Sequence, residues 1–399
     1  MKILVVSQHY YPENFRITDV CETLVKRGHQ VDVICGLPNY PEGEVLADYK
    51  HKQNREQVIN GVNIHRAFEI GRGHNSIKLF LNYYSVCLSM KKKAKKIKKD
   101  FDLVLINQLS PVMVAWAGIA YAKKHKVPCL LYCLDLWPES LKHAFNNKEN
   151  FIFKYYKKVS SKIYSKVDMI ATTTRSFEDY LKPLIKKEPN IVYLPQYGED
   201  DYIVEPINKV DNNIIDFVFA GNMGKVQDLD IIVKAVNEIK DNNKFLVHLV
   251  GNGSMFNDIK QMVEELKLEN KIILHGRKSA KEVREYYELA DALLITLQGV
   301  NAVGDTLPGK MQTYLTVGKP IFGAINGGGY EVIRESQSGD CVHAGDYKGL
   351  SKIMLDFIEN QDKYADCGNN AISYFQQNFT KEKFFISLEK IFEELINNK

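Results

Sequence analysis

The sequence predicts an α/β chain built as two doubly wound, parallel-sheet domains facing each other across a cleft. Three observations carry this expectation. Short apolar runs rich in Val, Ile and Leu suit parallel strands buried on both faces. They alternate with stretches of helical periodicity, and the alternation breaks at an acidic segment, PQYGEDDYIVE (195–205), before starting again. A length of 399 residues suits two domains better than one. The expected domains are residues 1–200 and 206–380, with an amphipathic last helix (381–399) packing back on the first.

The net charge of +4 hides an asymmetry. Residues 1–200 carry 31 Lys and Arg against 20 Asp and Glu, and the remainder carries 22 against 29. A basic first half suits anionic lipid or phosphate as its partner; a lysine-rich proteome is the plainer alternative, which explains the number of lysines but not their segregation. The seven cysteines form no CxxC pair and read as reduced core residues of a cytosolic protein. No segment reaches the roughly 18 apolar residues of a membrane span. Met1-Lys2 leads straight into a strand rather than a leader peptide.

In the first half, residues 2–7 make a buried strand. Residues 15–27 make a helix with Ile17, Val20, Cys21, Leu24 and Val25 on one face, and Gly28 ends it. Residues 31–35 make the next strand, so the unit is βαβ. The first turn, QHYYPENFR, lacks the GxGxxG fingerprint, which argues against a nicotinamide dehydrogenase. Glu13, Asn14 and Arg16 lie at the helix start, beyond the carboxyl end of the strand, where such sheets hold ligands. Asn14 has a plainer role open to it as the N-cap. After the turn-rich loop LPNYPEG and a strand at 63–68, Arg72 and His74 lie in a Gly-flanked loop at the same sheet end. Strands at 103–107, 129–134, 169–174 and 192–194 complete the sheet. Asp135 and Glu139, in DLWPE, directly follow strand 129–134 and are placed for chemistry or acceptor binding. For Asp135 the plainer role is helix capping.

Helix 76–99 changes character along its length. Leu79, Phe80, Tyr83 and Tyr84 precede a run of Lys91, Lys92, Lys93, Lys95, Lys96, Lys98 and Lys99. Aromatic and basic helices of this kind dock on anionic membrane surfaces. A solvated helix end whose lysines favour the dipole is the plainer alternative. Lys154, Lys157, Lys158, Lys162 and Lys166 form a second basic helix. No recognition motif accompanies the charge, so nucleic acid is not the expected partner.

In the second half, strand 216–220 runs into Gly221-Asn222-Met223-Gly224-Lys225. Glycines here let the backbone present N–H groups to a phosphate, and Lys225 adds a point charge. Strand 246–250 ends on Gly251-Asn252-Gly253, and strand 272–274 is followed by Gly276 and Arg277. After helix 279–290 and strand 292–297 comes VGDTLPGKMQTYLTVGKPIFGAINGGG (303–329). It reads as loop, helix, turn, strand and Gly-rich loop, with Pro308 in the first helical turn and Gly318 closing the helix. Lys310 stands at the helix start, and Gly327-Gly328-Gly329 free N–H groups before another helix. A lysine, a helix start and a glycine loop at one place suit a sugar nucleotide diphosphate. Asp228-Leu229-Asp230 sits at a helix start and reads as dipole charge, so no metal is expected. Helices near 346–360 and 381–398 finish the chain.

The ordered set YYPENFRITDV, LPNYPEG, DLWPES, PQYGED, GNMGK and PGKMQTYLTVGKPI resembles the retaining family-4 glycosyltransferases, of GT-B fold. The subgroup it is similar to makes capsule and O-antigen repeat units and transfers L-fucosamine (N-acetyl-L-fucosamine). The resemblance implies a UDP-sugar donor in the second domain, contacted by Gly221, Asn222, Gly224, Asn252, Arg277, Asp305, Leu307, Thr313, Gly328 and Gly329. It implies a polyprenyl-diphosphate-linked sugar acceptor reaching Glu13, Asn14, Arg16, Arg72, His74 and Glu139. It also implies retention of configuration, no cofactor, no metal, and a peripheral place on the cytoplasmic face of the plasma membrane. Two signature glutamates of the family fall on Asp305 and Thr313, its usual arginine on Asn222 and its usual lysine on Gln227. Lys225 and Lys310 are the cations left for the diphosphate. Asp135 stands where relatives carry a catalytic histidine. Two other readings stay open: a UDP-sugar 2-epimerase of similar architecture, and a non-catalytic membrane-bound assembly scaffold.

Overall fold

The structure, a computed structural model, describes residues 1–141, 150–198, 213–299, 304 and 306–398. The chain falls into two units, Met1–Leu194 with Phe385–Lys399, and Pro195–Phe384. Most of the acidic segment 195–205 and the signature residue Asp305 lie outside the described residues.

Unit 1 alternates strand and helix: β1 (Lys2–Ser7), α1 (Arg16–Lys26), β2 (Gln30–Cys35), β3 (Glu56–Ile59), β4 (Val62–Arg66), α2 (Ser76–Lys96), β5 (Leu103–Gln108), α3 (Ala115–His125), β6 (Cys129–Cys133), α4 (Phe151–Tyr164), β7 (Met169–Thr172), α5 (Ser176–Leu181) and β8 (Ile191–Tyr193). The sheet order is β3-β4-β2-β1-β5-β6-β7-β8, parallel except for the β3–β4 hairpin. The central strands β1, β5 and β6 are buried almost end to end, as helices on both faces require. Periodicity misses β3, an edge strand whose EQVI alternates weakly. The available signal is Asn60-Gly61, both at positive φ, which makes the tight turn of a hairpin. Helix α2 ends at Lys96, so Lys98 and Lys99 lie past it.

Unit 2 repeats the plan: β9 (Ile215–Ala220), α6 (Asp230–Glu238), β10 (Phe245–Val250), α7 (Phe256–Glu265), β11 (Ile272–Gly276), α8 (Ala280–Leu289), β12 (Ala292–Thr296), α9 (Gly309–Val317), β13 (Ile321–Ala324), α10 (Gly327–Ser336), β14 (Gly339–Val342), α11 (Tyr347–Glu359), α12 (Cys367–Asn378) and the first residues of α13 (Lys381–Asn397). Its sheet runs β11-β10-β9-β12-β13-β14, all parallel. Alternate residues of β9 feed the two faces: Phe217 and Phe219 pack with Phe245 and Phe322, while Val218 and Ala220 pack with Tyr314 and Ile295. Each such fully buried large side chain contributes about 2–3 kcal/mol of transfer free energy. Helices α7 and α12 and strand β14 have no counterpart among the sequence expectations.

Helix α13 crosses the division at Phe384/Phe385. Within unit 1, its Glu389 takes a two-point contact from Arg27 at 2.8–2.9 Å and a third from His29 at 2.9 Å. These bonds hold the Glu389 carboxyl below its ordinary range, Arg27 contributing most. The cysteines are all free thiols, Cys367 alone being other than buried.

Candidate functional site

In unit 2 the carboxyl end of β9 and the starts of α9 and α10 meet. Tyr314 and Lys310 stand at i and i−4 on one face of α9. The Tyr314 hydroxyl accepts the Ala220 N–H at 2.9 Å, which docks α9 on the end of β9. One turn earlier, the Lys310 ammonium lies 3.6 Å above the centre of the Phe219 ring. It also lies against Gly221: a Cβ there would be 3.0 Å from Lys310 Nζ, and the φ of 147° suits glycine. Lys310 Nζ is shut off from solvent and has no hydrogen-bond partner among the described residues. Desolvation therefore brings its pKa down to about 7.

The start of α10 adjoins this group. Gly327-Gly328-Gly329 are the first turn of the helix rather than a loop before it. The reason is packing: a Cβ on Gly329 would lie 2.4 Å from Ile325 Cδ1, and 3.5 Å from Pro308 Cδ at the start of α9. Asn326, the residue before α10, does not cap it. Its Oδ1 takes the Ala344 N–H and meets His343 Nδ1, each at 3.1 Å. Two uncapped helix starts, α9 behind Pro308 and α10 behind Asn326, thus adjoin a buried cation that is unpaired among the described residues. Unsatisfied N–H groups and the helix dipole favour an anion there.

The turn after β9 differs from its expected form, in which its N–H groups are free for a phosphate. Gly221 N donates to Val250 O at 2.9 Å, Met223 N to Asn252 O at 2.9 Å, and Gly224 N to Gln227 Oε1 at 3.1 Å. Of residues 221–224, Asn222 alone keeps an unclaimed N–H among the described residues. The glycines serve the turn's own geometry, including its fit against Asn252 and Gly253. Lys225 is exposed in the short turn Lys225–Gln227, whereas Lys310 Nζ is shut off from solvent. Asn222 and Gln227 lie side by side as neutral amides. Asn252 and Arg277 are exposed; Thr313 is half-buried one turn beyond Lys310; Leu307 packs on the core.

In unit 1, Glu13 is a correction. Its sequence position suggests that it faces a ligand, but it is buried. Its carboxylate takes the N–H groups of Asn39 and Tyr40 at 2.8 and 2.7 Å and meets His9 Nδ1 at 2.9 Å. It anchors the LPNYPEG loop. Glu69, not singled out by sequence, does the same from below: it accepts from Gln8, Asn82 and the Leu37 N–H. Asn14 is exposed and does not cap α1, which begins at Arg16 behind Phe15. Arg16 is half-buried in the first turn. His74 is exposed. Glu139 is buried and so does not present its carboxylate to solvent. Arg72 donates its N–H to Asn39 Oδ1 at 3.1 Å, and its guanidinium stands 5.7 Å over the Tyr40 ring. Half-buried Asp135 accepts a hydrogen bond from Ser110. Burial raises the Tyr83 hydroxyl pKa, with Arg72 opposing and Asp135 adding, so these three share one locality. His9 also escapes sequence reading; it stacks on Phe15 at 4.6 Å beneath Tyr40.

The lysine run of α2 divides. Lys93 pairs with Glu56 and the Arg66 carbonyl, and Lys99, exposed and past the helix end, with Asp32 at 2.7 Å, so these two charges are matched by carboxylates of the sheet. Lys92 and Lys96 are exposed, while Lys91 and Lys95 line a cavity with lysines of α3 and α4. Among the described residues, no helix is long and apolar enough to cross a membrane.

Comparison with known proteins bears on family and fold. The chain is similar over its full length to an uncharacterized glycosyltransferase of Methanocaldococcus jannaschii, at 21% identity over 416 residues, covering 100% of this chain and 99% of that one. It is 22% identical over 169 residues to the amylovoran biosynthesis glycosyltransferase AmsK of Erwinia amylovora, covering 42% of each. Its fold matches the crystal structure of Anabaena HepE in complex with UDP, with a TM-score of 0.73, 14% identity and coverage of 99% and 100%. The family model "Glycosyltransferase Family 4" matches residues 15–195, and "Glycosyl transferases group 1" matches residues 204–374. Matched in that order along its two parallel-sheet units, the chain belongs to the glycosyltransferases of family 4 and group 1, with the GT-B fold.

Proposed function

We propose that the protein moves N-acetyl-L-fucosamine from a UDP-sugar to a polyprenyl-diphosphate-linked sugar, with retention, in building a bacterial capsule or O-antigen polysaccharide. The observation that carries the donor half of this reading is Lys310: a buried ammonium without an acceptor among the described residues, between Gly221 and two uncapped helix starts. A diphosphate supplies the missing counter-charge. Negative charge grows on that group as the glycosidic bond breaks, so Lys310 and the N–H groups of Gly327, Gly328 and Gly329 stabilise the transition state more than the ground state. Lys310 does the work that the family divides between the positions of Asn222 and Gln227. Lys225, being exposed, contributes at longer range. No metal is required in this scheme. The acceptor half rests on Arg72, Tyr83 and Asp135, with Asp135 orienting the hydroxyl or steadying an oxocarbenium-like sugar. The polysaccharide setting is supported by the similarity to AmsK, and the nucleotide by the fold shared with a UDP complex.

The test is incubation with UDP-N-acetyl-L-fucosamine and a lipid-linked amino sugar, with mass spectrometry of the product. Transfer that needs both partners is expected. Transfer from UDP-N-acetylglucosamine instead would overturn the donor assignment. Conversion of the UDP-sugar alone, with no acceptor, would indicate an epimerase.

A further inference from the structure

Two cavities of unit 1 lie end to end along α2 and α4. The first, of about 700 Å³, is walled by Phe80, Tyr83, Tyr84, Trp137, Tyr155 and Tyr156, and no charged residue lines it among the described residues. Three of its wall residues reach solvent among the described residues: Phe80 is 51% exposed, Tyr155 56% and Phe151 81%. The rings form one connected set, Tyr83 meeting Trp137 at 5.8 Å and Trp137 meeting Tyr156 at 5.6 Å. The second cavity, of about 720 Å³, is lined by Lys91, Lys95, Lys123, Lys124, Lys162 and Lys166, with no carboxylate. None of these six lysines forms an ion pair among the described residues, and Lys91 stands 5.7 Å over the Trp116 ring. Both helices contribute their first halves to the aromatic cavity and their second halves to the lysine cavity. At 1.5 Å per residue the two are offset by roughly 13–18 Å.

The chemistry of the wall selects the occupant. A peptide would bring backbone N–H and C=O groups that a wall of ring faces leaves largely unpaired. A hydrocarbon chain needs no partners and gains by leaving water. A concave cavity of this size suits one chain, where flat docking on a bilayer needs only a surface. The neighbouring lysines place anionic headgroups beside it. Tyr83 joins the cavity to the acceptor locality, its ring in the wall and its hydroxyl in the field of Arg72 and Asp135.

We infer that the aromatic cavity seats the first isoprene units of the acceptor's polyprenyl chain. This rests on the reading that the acceptor is lipid-linked, and it adds where that lipid is held. The chain's anchorage there directs the attached sugar toward Arg72 and Asp135.

The sequence has two tryptophans, one for each cavity, so Trp116→Phe leaves Trp137 as the sole reporter. The probe is farnesyl diphosphate, titrated into the full-length variant saturated with UDP to block the donor site. A saturable change in Trp137 emission is expected, with affinity reduced at least tenfold by Phe80→Ser with Tyr155→Ser. Both side chains are exposed at the rim, so the fold tolerates their loss, and UDP affinity measured by calorimetry stays constant. Three results would overturn the inference: no saturable change, equal competition by inorganic diphosphate, or the same Trp137 change from phosphatidylglycerol vesicles with farnesyl diphosphate binding indifferent to the two substitutions. Loss of UDP binding itself would count against the donor reading instead, so the two failures are distinct.

Discussion

Each unit buries a charge beside its proposed ligand end, and the two are treated in opposite ways. Glu13 is surrounded by donors: two backbone N–H groups and an imidazole satisfy it, and a loop hangs from it. Lys310 is surrounded by a ring face and a glycine, with no acceptor among the described residues. A buried charge with a full set of partners is scaffold. A buried charge with none costs free energy in the empty protein, and that cost is relieved when a counter-ion arrives. The contrast separates residues that shape a site from the residue that waits for the ligand.

The largest expected effect breaks the contrast on the ligand side. Lys310→Met removes the cation while keeping the bulk. It should lower kcat/KM about 10²–10³-fold, the size seen when one transition-state donor is lost. The same substitution should raise the thermal midpoint, because an unpaired buried ammonium is gone. A lowered midpoint together with unchanged UDP binding in calorimetry would place Lys310 with the scaffold.

On the scaffold side, Glu13→Ala should cost about 2 kcal/mol of stability by leaving the Asn39 and Tyr40 N–H groups without an acceptor. UDP affinity should not change, since Glu13 belongs to the other unit. Chemical denaturation and calorimetry together check this.

The pH dependence is a smaller effect and sharpens the comparison. Lys310 has a pKa of about 7 when folded, against an ordinary value about three units higher. Its penalty is fully present below pH 7, where folded and unfolded chains both hold the proton. Above pH 7 the folded chain gives it up first, so stability relative to Lys310→Met rises with pH by at most about 1.4 kcal/mol per unit. UDP binding runs the other way. The diphosphate favours the ammonium, so binding takes up a proton above pH 7 and affinity falls by up to about tenfold per unit. Calorimetry in buffers of different ionisation enthalpy detects that proton, and its absence would contradict the buried cation.

The smallest expected effect concerns the lysines. Lys124→Glu with Lys162→Glu should weaken binding to phosphatidylglycerol vesicles by roughly 1 kcal/mol per site, and more at low salt. Lys93→Gln should leave vesicle binding unchanged, because Lys93 is already paired with Glu56. Sedimentation of vesicles with each variant separates the two kinds of lysine.

Strand and helix periods, the Gly28 and Gly318 stops and the restart of the pattern are properties of neighbouring residues. The two-sheet plan and most element positions are therefore legible in the chain itself. Lys310 stands out for the same reason, as a lysine at a helix start. The Asn60-Gly61 turn is equally local, but the weak strand before it hides it. Other features have no local signature. Which N–H groups of Gly221 to Gly224 remain available depends on Val250 and Asn252, strand neighbours some 30 residues away. Whether Glu13 faces ligand or loop depends on how residues 39–40 fold back over it.

The amino-acid sequence by itself determined the architecture, because period and punctuation are encoded within a few residues, and it nominated a lysine beside glycines. Only the tertiary structure decided which charges are paired. Sheet order sets β9 next to β12 and brings Gly221, Lys310 and Gly329 together across about a hundred residues of chain, and pairing is a property of that proximity rather than of any stretch read alone.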